Sequence, residues 1–407
     1  MKTILATAYA INPYKGSEDG MGWNFVAQMA RFSRVIAITR ENNRPYIDKF
    51  MRENPADFYQ NIQFLYFDLP AWARFWKKGS RGAMIYYLMW QKGVINFIRK
   101  QNIQFDIVHN LNFHNDWTPS YLWQFGKPFV WGPIGHHNRI PFQYLQSYSR
   151  LYWLKDELTW LVKKSFWNAS TGLNDTIANS NHILCMNAGV STQLQLPETK
   201  YSVVPSVATQ DCGWLPVQPD TEQFTVISAG RLVPLKGFDL AIAAFAQFVH
   251  QLPAAQRANC KFKIVGSGEE KHTLMDLCES LQVVENVEFI SWIDRQELLE
   301  MMKMASVFLF PSHEGAGMVV AEALSFGLPV VCLDNDGPGE FIDGTCGIAV
   351  PISSYESTVE KLGNALTTLF VRPDKRKAMR LAARKRFENH FHWDVRGRQL
   401  QEIYEKL

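Results

Sequence analysis

The stretch from Ser312 to Gly327 constrains the fold of this chain more than any other part of the sequence. A short apolar segment, Val307 to Phe310, precedes it and has the composition of a buried parallel strand. After the stretch begins, apolar residues recur at helical spacing, at Val319, Val320, Ala323 and Leu324. The pattern predicts a strand, a tight loop and a helix, with the loop at the carboxyl end of the strand, where open α/β sheets bind ligands.

Two carboxylates, Glu314 in the loop and Glu322 in the predicted helix, stand eight positions apart in this stretch. Carboxylates accept hydrogen bonds from paired hydroxyls, so a sugar and a ribose are natural partners. Glycines allow a ligand to approach the backbone closely, and the amides at the start of a helix favour binding of an anion. The loop and helix start that provide these groups comprise Gly315, Ala316, Gly317 and Met318. The alternative is that Glu314 caps the helix and Glu322 is a solvated helix residue.

A second motif, Ala229 to Gly237, lies between the apolar run 225–228 and a helical pattern at 238–249. It places two cations, Arg231 and Lys236, at a strand-to-helix junction. Arginine and lysine bind phosphate oxygens, so a diphosphate can be neutralised here without a metal ion. The alternative is a cluster of surface ion pairs.

The chain begins with a predicted strand at 3–10, a loop containing Gly16, Ser17 and Glu18, a helical pattern, and a second strand at 34–38. The loop lacks the G-x-G-x-x-G fingerprint, which argues against a nicotinamide cofactor. We interpret the apolar N-terminus as this first strand and not as a signal peptide. Gly16 is either a ligand-facing glycine or an ordinary turn residue.

Further short apolar runs predict two parallel sheets, each alternating with helices. In the first half the additional strands are predicted at 62–67, 105–109, 128–131 and 182–186, and the run 201–205 closes the first domain. In the second half they are predicted at 225–229, 261–265, 287–291, 306–310 and 329–333. The strand at 261–265 runs into a turn containing Gly266 and Gly268, which we expect to line a bound nucleotide.

Length and composition indicate a globular chain of two domains. A chain of 407 residues exceeds one ordinary core and fits two domains of about 200 residues each. The net charge is +3, but residues 1–200 carry 22 Lys/Arg against 13 Asp/Glu, which leaves 20 against 26 for the rest. The basic half is therefore expected to meet an anionic acceptor or a membrane surface, whereas the near-neutral total argues against nucleic-acid binding.

The six cysteines show no C-x-x-C spacing, and several lie inside apolar patterns, as expected for buried thiols in a reducing compartment. No apolar stretch reaches the roughly 18–20 residues that span a bilayer. Aromatic and basic residues are interleaved over 71–100, as in segments that lie in an anionic membrane interface. The alternative is that these aromatics fill the core of the first domain. We expect a cytoplasmic protein, with the inner face of the membrane as its site of peripheral contact.

Four histidines follow predicted strand ends, His109 and His114 near one strand and His136 and His137 after another. The adjacent pair lacks a third ligand at useful spacing, so no metal site is expected.

The run Gly230 to Gly237, the pair Glu314 and Glu322, and the loop 16–18 together resemble the family-4 retaining glycosyltransferases. The resemblance covers essentially the whole chain. It implies the GT-B fold, in which two Rossmann-like domains with parallel sheets face each other across a cleft. The expected domains are an N-terminal acceptor-side domain at 1–207, a linker at 208–223, a donor domain at 224–390, and a C-terminal helix at 391–407 that packs back toward the first domain.

The resemblance also implies roles for the site residues. Gly16 is expected near the donor phosphates, and a histidine near the donor sugar; either His109 or His114 is the counterpart, and we favour His114 because it lies beyond the strand. The turn 131–135 resembles a Gly-Pro-x-Gly-Gly-Gly turn of one branch of the family, except that His136 and His137 replace the later glycines.

The implied reaction is transfer of a sugar from a nucleotide diphosphate donor, a UDP- or GDP-sugar, to a hydroxyl of a carbohydrate or lipid-linked acceptor. No cofactor or metal is expected. Arg231 and Lys236 would hold the departing diphosphate, Glu314 the sugar hydroxyls, and Glu322 the ribose. Surface polysaccharide or glycolipid assembly is the expected setting.

Two other functions fit the same architecture. Nucleotide-sugar 2-epimerases share it, although the first domain shows no clear pair of residues that would act as a base. A non-catalytic nucleotide-sugar-binding subunit is the second alternative, against which the intact site residues argue.

Overall fold

The computed structural model describes residues 1–77, 79, 82–111, 115–145, 148, 150–205, 207–215, 223–291 and 293–407. The chain forms two compact units. The first comprises residues 1–136, 154–206 and 393–407, and the second comprises 137–153 and 207–392. Each unit is an α/β layer structure with its own parallel sheet.

The first unit is built on a seven-stranded sheet in which every neighbouring pair is parallel, in the order β3-β2-β1-β4-β5-β6-β7. Apolar residues fill most positions of its central strands, as expected for a parallel sheet covered on both faces. The strands are β1 (Thr3–Ala8), β2 (Arg34–Thr39), β3 (Ile62–Tyr66), β4 (Ile107–Leu111), β5 (Phe129–Ile134), β6 (His182–Cys185) and β7 (Tyr201–Val203).

Helices connect these strands and supply the rest of the core. Tyr86, Tyr87 and Trp90 on the fourth helix are fully buried against this sheet. The helices up to residue 200 are α1 (Ser17–Ala30), α2 (Arg44–Glu53), α3 (Ala71–Arg74), α4 (Ala83–Gln101), α5 (Phe142–Leu145), α6 (Arg150–Ala169), α7 (Thr171–Asn179) and α8 (Ala188–Leu194).

The second unit has a six-stranded parallel sheet in the order β10-β9-β8-β11-β12-β13. Its strands are β8 (Phe224–Ala229), β9 (Cys260–Val265), β10 (Val287–Ile290), β11 (Val307–Phe310), β12 (Val330–Asp334) and β13 (Gly347–Pro351). The helices from residue 238 onward are α9 (Phe238–His250), α10 (Ala254–Ala258), α11 (Lys271–Ser280), α12 (Arg295–Met304), α13 (Met318–Ser325), α14 (Pro338–Phe341), α15 (Tyr355–Val371), α16 (Pro373–His390) and α17 (Trp393–Glu405).

The predicted two-sheet α/β architecture is confirmed, and each predicted strand overlaps an observed one. The strands β7 and β13 were not predicted. β13 is an edge strand of five residues that starts at a glycine and ends at a proline, and among the described residues it pairs with β12 alone. A short edge strand flanked by turn residues carries little apolar periodicity, so the sequence pattern does not reveal it.

The segment 137–153 is a further difference from the expected organisation, because we placed it in the first domain and it is part of the second unit. Tyr144 and Leu145 on α5 are buried in the apolar core of the second unit. The Tyr144 hydroxyl donates to the Ser353 carbonyl at 2.9 Å and pairs with the Thr358 hydroxyl at 2.6 Å. Burial of two large side chains and these hydrogen bonds hold the segment in the second unit.

The last helix, α17, is part of the first unit. Trp393 packs edge-on against Phe25 of α1, and the Tyr404 carbonyl accepts a hydrogen bond of 2.7 Å from Lys2. None of the helices in the described ranges is both long and apolar enough to cross a membrane.

Candidate functional site

The two motifs singled out in the second half of the sequence leave neighbouring strands of one sheet. β8 ends at Ala229, directly before the Arg231 motif, and β11 ends at Phe310, directly before the Glu314 loop. The two strands pair in parallel through Ile227 and Phe308. Both loops therefore emerge at the same carboxyl edge of the sheet, which is where parallel α/β sheets carry ligand sites.

Lys236 and Glu314 form the charged centre of this edge. The Lys236 ammonium lies 2.6 Å from Oε2 of Glu314, and both side chains are mostly buried, with 15% and 18% of their surface exposed. The ammonium also lies 5.2 Å from the centre of the Phe310 ring, within cation–π range. An ammonium has three donors, so this contact leaves Lys236 able to bind a further anion.

Arg231 differs from Lys236 in having no partner in the described part of the chain. Its side chain is exposed, and none of the described residues accepts a hydrogen bond from its guanidinium. A guanidinium carries five donors and stays charged at any physiological pH. The site thus presents one unneutralised cation beside an ion pair.

Glycine is required at one position within the cation motif and at one position beside it. Gly237 has φ +64°, and a β-carbon there would lie 2.1 Å from the Pro311 carbonyl oxygen. Gly266, in the turn after β9, has φ +148°, and a β-carbon there would lie 1.9 Å from the Gly230 carbonyl oxygen. Both contacts are shorter than any real β-carbon contact, so these backbones approach more closely than another residue permits.

The turn after β9 supports the cation motif through its backbone. A β-carbon on Gly268 would lie 2.2 Å from the Leu232 carbonyl oxygen, and the Leu232 amide donates to the Ser267 carbonyl at 3.0 Å. The glycines at 266 and 268 therefore fix the shape of the Arg231 loop. Their contact with a nucleotide stays a prediction.

The loop before α13 is held by contacts that the sequence motif does not show. The Asn335 side chain, at the end of the neighbouring strand β12, donates to the Ser312 carbonyl at 2.8 Å and accepts from the Gly337 amide at 3.2 Å. The Gly315 amide donates to Nδ1 of His137 at 2.9 Å. Among the described residues, none accepts from the amides of Ala316, Gly317 or Met318, which are the amides that remain for a ligand.

Glu322 lies on α13 and is buried, with 7% of its surface exposed. Its Oε1 accepts a 2.5 Å charged hydrogen bond from Nη2 of Arg295, the first residue of α12. Burial raises the pKa of the Glu322 carboxyl, and the ion pair with Arg295 opposes that rise. The alternative of a solvated helix residue is therefore wrong for Glu322.

Gly16 directly precedes α1 in the first unit, with φ −84°. A β-carbon at this position would have no atom within 4 Å. Its place before a helix start and after β1 agrees with the loop expected from the sequence. Packing does not explain why residue 16 is glycine, and its contact with donor phosphates stays a prediction.

His109 is a structural residue of the first unit. It is fully buried, Nε2 contacts the Gly132 carbonyl oxygen at 2.6 Å, and Nδ1 contacts the Tyr404 hydroxyl. Burial lowers the pKa of its imidazole to about 4. With both ring nitrogens occupied, His109 is not free to bind a donor sugar. His114, the favoured counterpart, lies outside the described residues.

A buried acid–imidazole pair in the first unit was missed by the sequence analysis. Nδ1 of His136 lies 2.7 Å from Oδ2 of Asp116, and the two residues are only 7% and 2% exposed. The Asn187 side chain makes two hydrogen bonds to the His136 backbone: it donates to the carbonyl at 2.8 Å and accepts from the amide at 3.3 Å. The signal was present, because Asp116 and His136 follow the neighbouring strands β4 and β5.

A family comparison agrees with this geometry. Residues 216–386 match the family described as glycosyl transferases group 1. Over 181 residues the chain is 33% identical to a GDP-mannose-dependent monoacylated alpha-(1-6)-phosphatidylinositol monomannoside mannosyltransferase of Corynebacterium glutamicum, covering 42% of this chain and 45% of that one. The chain thus spans less than half the length of this relative.

Solved structures extend the likeness of the fold to the whole chain. WaaG, a glycosyltransferase involved in lipopolysaccharide biosynthesis, superposes with a TM-score of 0.63 over 98% of this chain and 99% of its own, at 18% identity. HepE of Anabaena, solved with UDP and glucose, gives a TM-score of 0.64 over the full length of both chains, at 14% identity. Residues 216–386 are thus similar to the group 1 glycosyltransferases, and the two Rossmann-like units of the chain have the GT-B fold.

Proposed function

We propose that this chain is a retaining glycosyltransferase of family 4 that moves a sugar from a nucleotide diphosphate donor to a hydroxyl acceptor. The observation that carries the proposal is the grouping of Arg231, Lys236 and Glu314 on two loops at one sheet edge. Two cations match the charge of a diphosphate, and a carboxylate beside them accepts hydrogen bonds from sugar hydroxyls.

The chemistry follows from where charge develops. When the bond from the anomeric carbon to the phosphate oxygen breaks, its electron pair stays on the diphosphate. Arg231 and Lys236, already in place, stabilise that charge without reorganisation at the moment of reaction. The acceptor oxygen bonds to the anomeric carbon from the same face, and its proton passes to the departing phosphate oxygen. In this mechanism no side chain serves as a nucleophile and no metal ion is required.

Each remaining site residue then has a distinct role. Glu314 orients the sugar hydroxyls, the amides of Ala316, Gly317 and Met318 face the sugar and phosphate, and Glu322 holds the ribose. Gly16 allows the first loop to approach the donor phosphates, and His114 serves near the donor sugar.

The donor is a UDP- or GDP-sugar, and the acceptor is a carbohydrate or a lipid-linked glycan. The family match and the GDP-mannose-dependent relative support this class, as does the fold shared with a protein solved with UDP and glucose. We place the reaction in surface polysaccharide or glycolipid assembly on the cytoplasmic side of a membrane, an assignment that six free thiols support.

Peripheral membrane contact through residues 71–100 belongs to the same proposal, in a narrower form. The aromatics of α4 are buried in the core, whereas Trp72 and Phe75 are each 76% exposed. Arg74 and Lys77 lie between and beside them in the sequence, so the segment joins apolar and cationic groups as anionic lipid surfaces require. Co-sedimentation with phosphatidylglycerol vesicles should fall in Trp72→Ala/Phe75→Ala, while phosphatidylcholine vesicles retain little of either protein.

A specific observation keeps the epimerase as a second candidate. The His136–Asp116 pair is the kind of oriented base that the sequence analysis found lacking in the first domain. A proton-abstracting epimerase would act on the donor alone. Incubating the protein with each UDP- and GDP-sugar and following the sugar by NMR separates the two reactions: an epimer supports the isomerase.

The transferase is tested by release of nucleoside diphosphate from the same donors in the presence of a lipid extract as acceptor. Acceptor-dependent release with one donor, lost in Arg231→Gln, supports the proposal. Binding of a donor without release or epimer formation would indicate the non-catalytic subunit.

A further inference from the structure

Arg295 occupies a position that helix electrostatics disfavours. It is the first residue of α12, directly after the N-cap Asp294, whose side chain accepts from the Glu297 amide at 3.0 Å. The N-terminus of a helix carries partial positive charge, so a cation there is repelled by the exposed amides. Contacts elsewhere must therefore account for the orientation of Arg295, and the described ones are with the Glu322 carboxylate and the Cys212 thiol.

Glu322 is a carboxylate that needs such a partner. It is 7% exposed on α13, and burial disfavours its ionised form. The Arg295 side chain is 57% exposed, and its Nη2 lies 2.5 Å from Oε1 of Glu322. An ionised carboxylate accepts up to four hydrogen bonds, whereas a protonated one loses much of that capacity.

The ion pair occupies only one of the two carboxylate oxygens. Within the described ranges, no residue donates to Oε2 of Glu322. The pair therefore holds a buried carboxylate in one orientation with one oxygen unused. A structural ion pair would be satisfied more fully by a bidentate contact between the guanidinium and both oxygens.

We propose that Arg295 is a positioning residue that keeps Glu322 ionised and turns its free oxygen toward the 2′- and 3′-hydroxyls of the nucleotide ribose. The inference rests on the proposed function, in which Glu322 holds the ribose. It assigns the preference for ribonucleotides to the Arg295–Glu322 pair and not to Glu322 alone.

The test compares nucleoside diphosphates that differ only in the ribose hydroxyls. Calorimetric titration of UDP, GDP and their 2′,3′-dideoxy counterparts into the wild type is expected to show about a tenfold preference for the ribonucleotide with the bound base. In Arg295→Gln the ribonucleotide affinity should fall toward the dideoxy value, while the dideoxy affinity stays within about twofold of wild type. Arg372→Gln, which changes an exposed arginine of the same unit, is the matched control.

The pH dependence of the ribonucleotide preference provides a second measurement, which would not change on replacing Arg295 if this arginine had only a structural role. Without Arg295 the pKa of the buried Glu322 carboxyl rises further, so Arg295→Gln should regain ribose preference as the pH is raised from 6 to 9. The wild-type preference should stay flat. Arg295 also contacts the Cys212 thiol, so the series is run in a Cys212→Ser background to remove the thiol from this contact.

Two further variants keep the inference testable if Arg295→Gln folds poorly. Arg295→Lys retains the charge and should keep an intermediate preference, and Glu322→Gln should lose the preference at every pH. The double variant Arg295→Gln/Glu322→Gln should be no worse than Glu322→Gln, because the two residues act as one unit.

Equal losses for ribo- and dideoxynucleotides in Arg295→Gln would overturn the inference, as would an unchanged preference. Absence of binding by either nucleotide to the wild type would instead contradict the proposed function. The two failures are therefore distinguishable.

Discussion

Lys236 and Glu314 lie 78 positions apart in the sequence, yet the ammonium of one is 2.6 Å from a carboxylate oxygen of the other. Each side chain comes from a different loop, after β8 and after β11 respectively. A cation assigned to phosphate and a carboxylate assigned to sugar hydroxyls are thus in direct contact. A nucleotide sugar carries phosphate and hydroxyl groups on neighbouring positions, and we propose that one ligand of this kind engages the pair.

Replacing Lys236 with methionine should reduce sugar transfer by about 100-fold or more, because it removes a donor to the departing diphosphate. It should also destabilise the protein by roughly 1 kcal/mol, since Glu314 is left without its partner in a mostly buried place. The double variant Lys236→Met/Glu314→Gln should recover the stability without the activity. Recovery of turnover in the double variant would contradict the role of Lys236, and Lys377→Ala serves as an exposed control.

Replacing Arg231 with glutamine should separate binding from stability. The guanidinium is exposed and has no partner in the part of the chain that the structure describes, so the melting temperature should change by less than about 1 °C. Affinity for the nucleoside diphosphate should fall at least tenfold, as expected for loss of a charge-assisted bidentate contact. Wild-type affinity measured by calorimetry would remove Arg231 from the site.

Two glycine-to-alanine changes should have opposite outcomes. Gly237→Ala places a methyl group against the Pro311 carbonyl at a positive φ, so it should lower the melting temperature by several degrees. Gly16→Ala adds a methyl group in open space, so its melting temperature should equal that of the wild type. If Gly16 lies near the donor phosphates, its variant should nevertheless bind the donor more weakly; unchanged donor affinity would assign it to the turn alone.

His109 should contribute a pH dependence to folding with a defined sign. Its pKa is about 4 in the folded protein, against 6.5 as its ordinary value. Between these values the unfolded chain binds the proton and the folded chain does not, so stability falls as the pH is lowered from 6.5 toward 4. The loss from this group is about 2 kcal/mol between pH 6.5 and 5.

Denaturant unfolding of the wild type and His109→Gln at pH 7 and pH 5 measures this contribution. The variant should lose less stability on acidification than the wild type, because it lacks the titrating imidazole. His272 is exposed, so His272→Gln serves as the control and should lose as much stability on acidification as the wild type. The same acid sensitivity in His109→Gln as in the wild type would contradict this account of the buried imidazole.

Much of this architecture was predictable because it depends on local patterns. Parallel strands buried on both faces appear in the sequence as apolar runs, and the glycines of the turns that follow them indicate where the loops begin. The charged residues of those turns therefore indicated ligand sites at the carboxyl ends of their strands. The pairing of Lys236 with Glu314 was not predictable, because it depends on the spatial order of β8 and β11.

The remaining features depend on contacts distant in sequence. The assignment of 137–153 to the second unit rests on Tyr144 and Leu145 entering its core, which no local pattern indicates. Arg295 and Glu322 lie on different helices and show no shared motif. Asp116 and His136 follow neighbouring strands, so a prediction of strand order in the first sheet would have brought them together.

The most direct test of the central claim is a thermal-shift panel of UDP, GDP, ADP and their common sugar conjugates, without metal and then with magnesium. A ligand at 100 times its dissociation constant stabilises a protein by about 2.7 kcal/mol, which raises the melting temperature by several degrees. The account predicts a metal-independent shift with either the uridine or the guanosine nucleotides, and this shift should fall to about half or less in Arg231→Gln. No shift with any nucleotide, or an equal shift in the variant, would contradict it.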